Sequence, residues 1–274
     1  MEKKEQMKVI ILVLFLLIFP PFNCLAQLPF YGDIRRPKGK VQSFTEKCYE
    51  TTGGINTLVQ KRSYSYDLNG KLIEQKIYNT IDSNTIEQTI SYVYEDKELS
   101  EEQGDGEHGY RIKYMYYDSG KMMAKKYISD SVKSLERYEY DDKNNRSLRV
   151  CYDGYGELKL KEVYKYDNLN NLILKEWNDY DTTLNSGSIA YSIESTLMCS
   201  GERAYAPNGH LKYSITYEYD DKNNIAQEIR YTGSGFVDWK RKYSYEYDEK
   251  GNWLTLKNKN KASTYLTKRD ISYY

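Results

Sequence analysis

The sequence predicts an all-β protein of tandem β-hairpin repeats, forming a wide, curved antiparallel meander sheet that is open or partly rolled. Three observations lead there: a recurring Tyr-x-Tyr-Asp-x-x-Gly/Asn unit, 31 Tyr against only 6 Phe, and no sustained apolar stripe of helical period beyond the first residues.

The chain opens with Lys3, Lys4 and Lys8 around an apolar run from Val9 to Phe19, closed by Pro20 and Pro21. This is the order of a secretory signal peptide, and the run falls short of the roughly 20 apolar residues that span a bilayer. Cys24-Leu25-Ala26 supplies small side chains for cleavage before Gln27, giving a leader over 1–26. Acyl anchoring through Cys24 is not expected, because Pro21-Phe22-Asn23 lacks the leucine and small residues that precede a lipidated cysteine. The expected location is therefore periplasm, outer surface or secreted, with no integral membrane segment after cleavage.

Residues 27–59 read as an N-terminal capping segment, 60–257 as the hairpin repeats, and 258–274 as a C-terminal capping strand. An irregular insertion near 177–203 breaks the repeat register. Intact copies include Tyr64-Ser65-Tyr66-Asp67-Leu68-Asn69-Gly70, Tyr138-Glu139-Tyr140-Asp141-Asp142-Lys143-Asn144 and Tyr164-Lys165-Tyr166-Asp167-Asn168-Leu169-Asn170. Two more follow, Tyr217-Glu218-Tyr219-Asp220-Asp221-Lys222-Asn223 and Tyr245-Glu246-Tyr247-Asp248-Glu249-Lys250-Gly251. Weaker copies sit at Tyr92–Glu95 and Tyr114–Gly120, and a half copy at Tyr205-Ala206-Pro207-Asn208-Gly209.

Each unit has a local physical reading. Alternation puts both Tyr rings on one face of a strand. The Asp carboxylate accepts from backbone N–H groups just ahead of it, and Gly or Asn three residues on takes the left-handed conformation that closes a hairpin with a type I turn and a bulge. A second strand follows, as in Leu72–Tyr78 or Ile225–Tyr231. Seven or eight hairpins give about 15 strands, and at about 4.8 Å each a flat sheet would be roughly 70 Å wide. Sheets of that size curl or split.

Charge names no partner. Removing Lys3, Lys4, Lys8, Glu2 and Glu5 from 40 basic and 40 acidic residues leaves 37 against 38, interspersed throughout. A nucleic-acid partner is excluded on that ground. A mean hydropathy of −0.82 would suggest disorder, but the Tyr rings supply apolar area with a polar tip. Cys48, Cys151 and Cys199 remain after cleavage, either as one disulfide plus a thiol or as three buried thiols.

The sequence carries no phosphate loop, nucleophile elbow or paired-cysteine metal pattern, so no enzyme, no metal and no cofactor is expected. His108 and His210 lie in turn-like polar stretches, and the repeated Asp67, Asp141, Asp167, Asp220 and Asp248 read as turn formers. An enzyme would need acids such as Asp179, Asp181 and Glu194 to converge in a cleft. The positive hint is aromatic: Trp177, Trp239 and Trp253 are candidate platforms for a sugar ring, against a reading in which they form cross-strand pairs in the core.

The repeated unit resembles the YD repeats of Rhs and teneurin-type proteins over most of 60–257, and more narrowly the short exported YD-repeat proteins of Bacteroidetes-type bacteria. That resemblance implies a spiralling β shell and a cell-envelope setting. Too few repeats are present to enclose a cargo, and no Asp-Pro-x-Gly-Leu motif with a following toxin segment is found. MORN-type repeats are a second, weaker resemblance, carried by Tyr116-Tyr117-Asp118-Ser119-Gly120-Lys121. The leading expectation is a noncatalytic exported scaffold that binds a glycan or an envelope protein. The runner-up is a structural or assembly protein that self-associates through sheet edges, with a carbohydrate-active enzyme third.

Overall fold

The computed structural model describes residues 37–106, 109–130, 133–181, 186–193, 198–259 and 263–274. The expected leader over 1–26, with Cys24 and the junction at Gln27, lies outside the described residues, as do His108 and Glu194.

Eighteen strands are described. They are β1 (Val41–Thr52), β2 (Ile55–Tyr66), β3 (Leu72–Tyr78), β4 (Ile86–Glu95), β5 (Glu98–Gly104), β6 (Tyr110–Tyr116), β7 (Met122–Ser129), β8 (Lys133–Tyr140) and β9 (Arg146–Asp153). The second half comprises β10 (Leu158–Tyr166), β11 (Leu172–Asp179), β12 (Gly187–Ile193), β13 (Cys199–Tyr205), β14 (Leu211–Tyr219), β15 (Ile225–Thr232), β16 (Val237–Tyr247), β17 (Trp253–Lys259) and β18 (Thr264–Tyr273). Each pairs antiparallel with its neighbours in sequence, and β1 also pairs with β18 from Val41 opposite Tyr273 to Thr51 opposite Thr264.

The sheet is thus a closed barrel, which corrects the expectation of an open or partly rolled meander. The segments read as caps supply β1 and β18, the two strands of the closing seam. The physical reason lies in the turns. Beside each Tyr-Asp turn the register shifts, between Ser65 and Tyr66, Met115 and Tyr116, Glu139 and Tyr140, Lys165 and Tyr166, Glu218 and Tyr219, and Glu246 and Tyr247. A bulge bends and further twists its strand pair, and the same bend repeated around the sheet brings its ends together. Closure then satisfies the backbone ladders of both edge strands. Edge-to-edge self-association has no free edge among the described strands.

Connections fall on two rims. The motif rim holds the turns 67–71, 117–121, 141–145, 167–171, 220–224 and 248–252, beside Lys40, whose carbonyl accepts from the Tyr274 N–H at 2.9 Å. The β4–β5 turn at 96–97 lies at the motif rim as well, and the far rim holds the half copy at 206–210, a turn of the same kind at the opposite end.

At the motif rim the expected turn is present in detail. Asp220 Oδ1 accepts from the N–H groups of Lys222 at 2.9 Å and Asn224 at 2.8 Å, and Asp167 and Asp248 repeat the pattern. Asn223 has φ 62° and Gly251 φ 77°, the left-handed region that an Asn or Gly tolerates. A Tyr of the unit then latches the preceding strand, the second of the pair except in the last copy, where it is the first, Tyr245. The hydroxyls of Tyr94, Tyr116, Tyr140, Tyr166, Tyr219 and Tyr245 donate to the carbonyls of Leu72, Leu99, Met122, Arg146, Cys199 and Ile225 at 2.5–3.1 Å. Each acceptor lies in the first residue of its strand, or in the second for Leu99, next to the bulge.

The registers place one residue in two on the buried inner face. Phe44, Tyr64 and Tyr66 pack in one cluster, and Tyr164, Leu172, Tyr191, Tyr217, Ile225 and Tyr243 in another. Cys48, Cys151 and Cys199 are buried thiols, none of them in a disulfide. Burial pushes the Cys151 thiol up to about 12, leaving it as a small packed hydrophobe.

Candidate functional site: a basic hollow beside the far rim

Charges occupy the inner face as well. Lys125 of β7 meets Glu136 of β8 at 3.0 Å, and Glu136 meets Arg149 of β9 at 2.7 Å. Arg149 then meets Glu162 of β10 at 2.7 Å, and Glu162 meets Lys175 of β11 at 2.6 Å. Four consecutive strand pairs are bridged by one alternating chain. Tyr138 and Tyr164 cover it, each hydroxyl donating at 2.7 Å to the carboxylate two residues earlier on its own strand, so the rings run along the wall. Burial alone would raise Glu162, but Lys175 and Arg149 outweigh it and hold its carboxyl down at about 2.

Farther round, the pattern changes. Burial and the nearby Glu228 push Glu202 up to about 7, against a hydrogen bond from Tyr217. Glu228 is raised by its own burial, although Tyr243 donates to it at 2.9 Å and Arg241 lies 3.7 Å away. Such paired carboxylates signal either catalysis or structure. Here each faces a tyrosine and the barrel's inner wall, and no group of His, Cys, Asp and Glu among the described residues could hold a metal ion.

The three candidate tryptophans all belong to the inner face, but the structure does not bring them together. Trp177 lies near the far rim on β11, against Gly187 of β12, where an added Cβ would sit 3.2 Å from the indole. Trp239 also lies near the far rim, on β16, with the Arg241 guanidinium 4.2 Å from its ring centre. Trp253 starts β17 at the motif rim, where the Arg269 guanidinium stacks 3.4 Å from its ring centre. Asp179 and Asp181 shape the connection after β11: Asp181 N–H donates to Asp179 at 3.0 Å, and Lys159 reaches Asp181 at 3.0 Å. His210 is exposed in the far-rim turn.

The outer wall carries charge at mid-strand. Lys113, Lys126, Arg137, Lys240, Lys242, Lys257 and Lys268 are all exposed there. A membrane-spanning barrel needs an apolar outer band, and each Lys or Arg at the bilayer midplane would cost about 2–4 kcal/mol. The charged mid-strand positions interrupt any such band on the described wall. No helix among the described residues is long and apolar enough to cross a membrane.

One part of this wall is concave. A hollow of about 430 Å³ lies beside the far rim over β7, β8 and β9. Register aligns Lys126, Leu135 and Tyr152 across the three strands, making Leu135 and Tyr152 its half-buried wall. Lys133 and Arg137 flank Leu135, two residues before and after on the same face of β8, and all three cations line the hollow.

The β9–β10 turn forms the lip. Asp153 Oδ1 accepts from Tyr155 N–H at 2.9 Å and Glu157 N–H at 3.0 Å. Gly154 packs closely there: an added Cβ would lie 3.0 Å from that of Lys133. Tyr155 projects from the turn 95% exposed. Lys159 joins this turn to the next connection by bonding Asp153 at 3.3 Å as well as Asp181. The sequence reading missed this hollow; its one signal was Gly154-Tyr155-Gly156, an aromatic ring held out between two glycines.

No protein-family model matches the chain, and no curated protein matches it either. Among solved structures, a porin-like protein from Bacteroides uniformis is similar at 11% identity and a TM-score of 0.48, over 85% of this chain and 96% of that one. A porin-like protein from Bacteroides vulgatus is similar at 11% identity and a TM-score of 0.39, over 85% and 98%. The TcdB2-TccC3-TEV structure is similar at 12% identity and a TM-score of 0.36, and this chain spans 14% of its length.

Proposed function

We propose that this chain is an exported, noncatalytic barrel of the cell envelope that binds a saccharide in the hollow over β7–β9. The observation that carries the reading is the Leu135–Tyr152 wall of that hollow with the exposed Tyr155 at its lip. A tyrosine offers a flat apolar face to the C–H side of a pyranose and a hydroxyl to its polar edge, and concave apolar walls with a few polar groups are what small ligands select. The volume suits one or two sugar rings. The recognition role thus passes from the tryptophans, which face inward, to tyrosines on the outer wall.

Titration of the purified protein against bacterial and host polysaccharides tests this. Saturable binding is expected, weakened at least tenfold by Tyr152→Ala and by Tyr155→Ala with the circular dichroism unchanged, and retained in Trp177→Ala. Absence of binding to any polysaccharide overturns the reading. A protein partner would then be sought at Phe236 and Val237 on the far rim, which are 74% and 60% exposed.

A further inference from the structure

We propose that the saccharide bound in the hollow is acidic, a carboxylate-bearing glycan held by Lys126, Lys133 and Arg137. This rests on the saccharide reading above and names its chemical class.

The argument is one of uncompensated charge. Some outer-wall cations have carboxylate partners, as Arg111 has Glu101 at 3.1 Å and Lys165 has Glu176 at 2.9 Å. Around the hollow, no carboxylate of the described residues lies within ion-pair reach of Lys126, Lys133 or Arg137. The nearest acid in its lining, Asp153, is already taken by the turn's N–H groups and by Lys159.

Register adds to the excess. Lys113 of β6 stands directly opposite Lys126 on the same outer face, and like charges so placed destabilise a strand pair. Three cations without an ion pair therefore meet around this concavity. A bound carboxylate would relieve that repulsion, and the Arg137 guanidinium presents the planar fork that matches a carboxylate in two parallel hydrogen bonds.

The wall selects the rest of the ligand. Tyr152 and Leu135 give an apolar surface of monosaccharide size between the cations, so the ligand must carry its negative charge on a compact ring. A flat anionic surface would not enter the hollow, and a polynucleotide would need a basic track beyond it. Uronate-containing glycans combine the two requirements.

The test uses homogalacturonan, alginate and hyaluronan beside the carboxyl-reduced form of each, titrated into the purified protein by calorimetry at low and high salt. At least one acidic polymer is expected to bind tenfold or more tightly than its reduced form. That preference should shrink as salt rises and disappear in Lys133→Ala and Arg137→Ala, both exposed positions whose replacement spares the core. Tyr152→Ala should weaken the acidic and reduced forms alike. Equal binding of acidic and reduced polymers would leave the saccharide reading standing and overturn the charge assignment. Binding of neither would overturn both. Acidic binding indifferent to Lys133 and Arg137, or displaced by millimolar inorganic sulfate, would also sink the proposal.

Discussion

Glu202 shows how the barrel's interior sets a pH dependence at a single residue. Its carboxyl, pushed up to about 7 by burial and by Glu228, keeps its proton in the folded state over a range where the unfolded chain has released it. The folded state therefore binds more protons between about pH 4.5 and 7, and the stability this group contributes falls as pH rises through that window. Glu202→Gln should remove the fall. At pH 8 the variant is expected to be more stable than the parent by up to about 3 kcal/mol, from a shift of two to three units at 1.36 kcal/mol each. Urea midpoints of both proteins at pH 4.5 and pH 8 check it, with Glu228, raised in the same direction, leaving a residual slope in the variant. An unchanged gap between the two pH values would refute the assignment. The interior charges were legible in the sequence only after the fact. Glu136, Glu162 and Arg241 each stand two residues before a Tyr-x-Tyr pair, and strand alternation puts them on the buried face with the rings. A composition with so many charges invited the opposite reading, that all of them meet water.

At the level of the hairpin the sequence was most informative, because the turn is a local object. Its Asp, its left-handed Gly or Asn and its second strand each follow from backbone chemistry within six residues. What lay outside that span was the latch, in which Tyr245 of one hairpin donates to the Ile225 carbonyl of the strand before it at 3.1 Å. That contact bridges 20 residues, so no local rule reports it. The two features separate by mutation. Asp220→Ala loses the bonds from Lys222, Asn224 and Tyr247 and should cost about 1–3 kcal/mol. Asn223→Ala, forced into the left-handed region, should cost about 1–2 kcal/mol, whereas Asn223→Gly should be close to neutral. Tyr245→Phe removes only the latch hydroxyl and should cost about 1 kcal/mol. Denaturant unfolding of the four variants measures these values, and an Asn223→Gly variant as unstable as Asn223→Ala would contradict the role assigned to its backbone conformation.

Closure belongs to the whole molecule, and this is why the repeats alone did not reveal it. Most strand pairs carry their own bulge and bend, but whether the ends meet depends on all of these small bends summed in one direction. It depends also on whether the end strands match, and the match lies in residues outside the repeat. β1 and β18 agree in register over most of their length, and Arg269 of β18 meets Glu46 of β1 at 2.9 Å on the inner face. The basic hollow was hidden for a related reason: a balanced charge count says nothing about which face or which strand holds the unpaired cations. The seam gives a direct test of closure. Deleting 264–274 would expose the edges of β1 and β17 and remove Arg269, the ion-pair partner of Glu46. Such a chain should associate through its new edges and elute as oligomers. The counterpart is a circular permutant that joins Tyr274 to the segment before Lys40 through a short linker and opens the exposed β9–β10 turn at Gly156. Both junctions lie at rims, every strand pair is kept, and the permutant should elute as the parent does with the same circular dichroism. In an open sheet the deletion would merely shorten one end, so a monomeric, fully folded deletion variant would refute closure, whereas oligomers from the deletion and parent-like behaviour from the permutant require it.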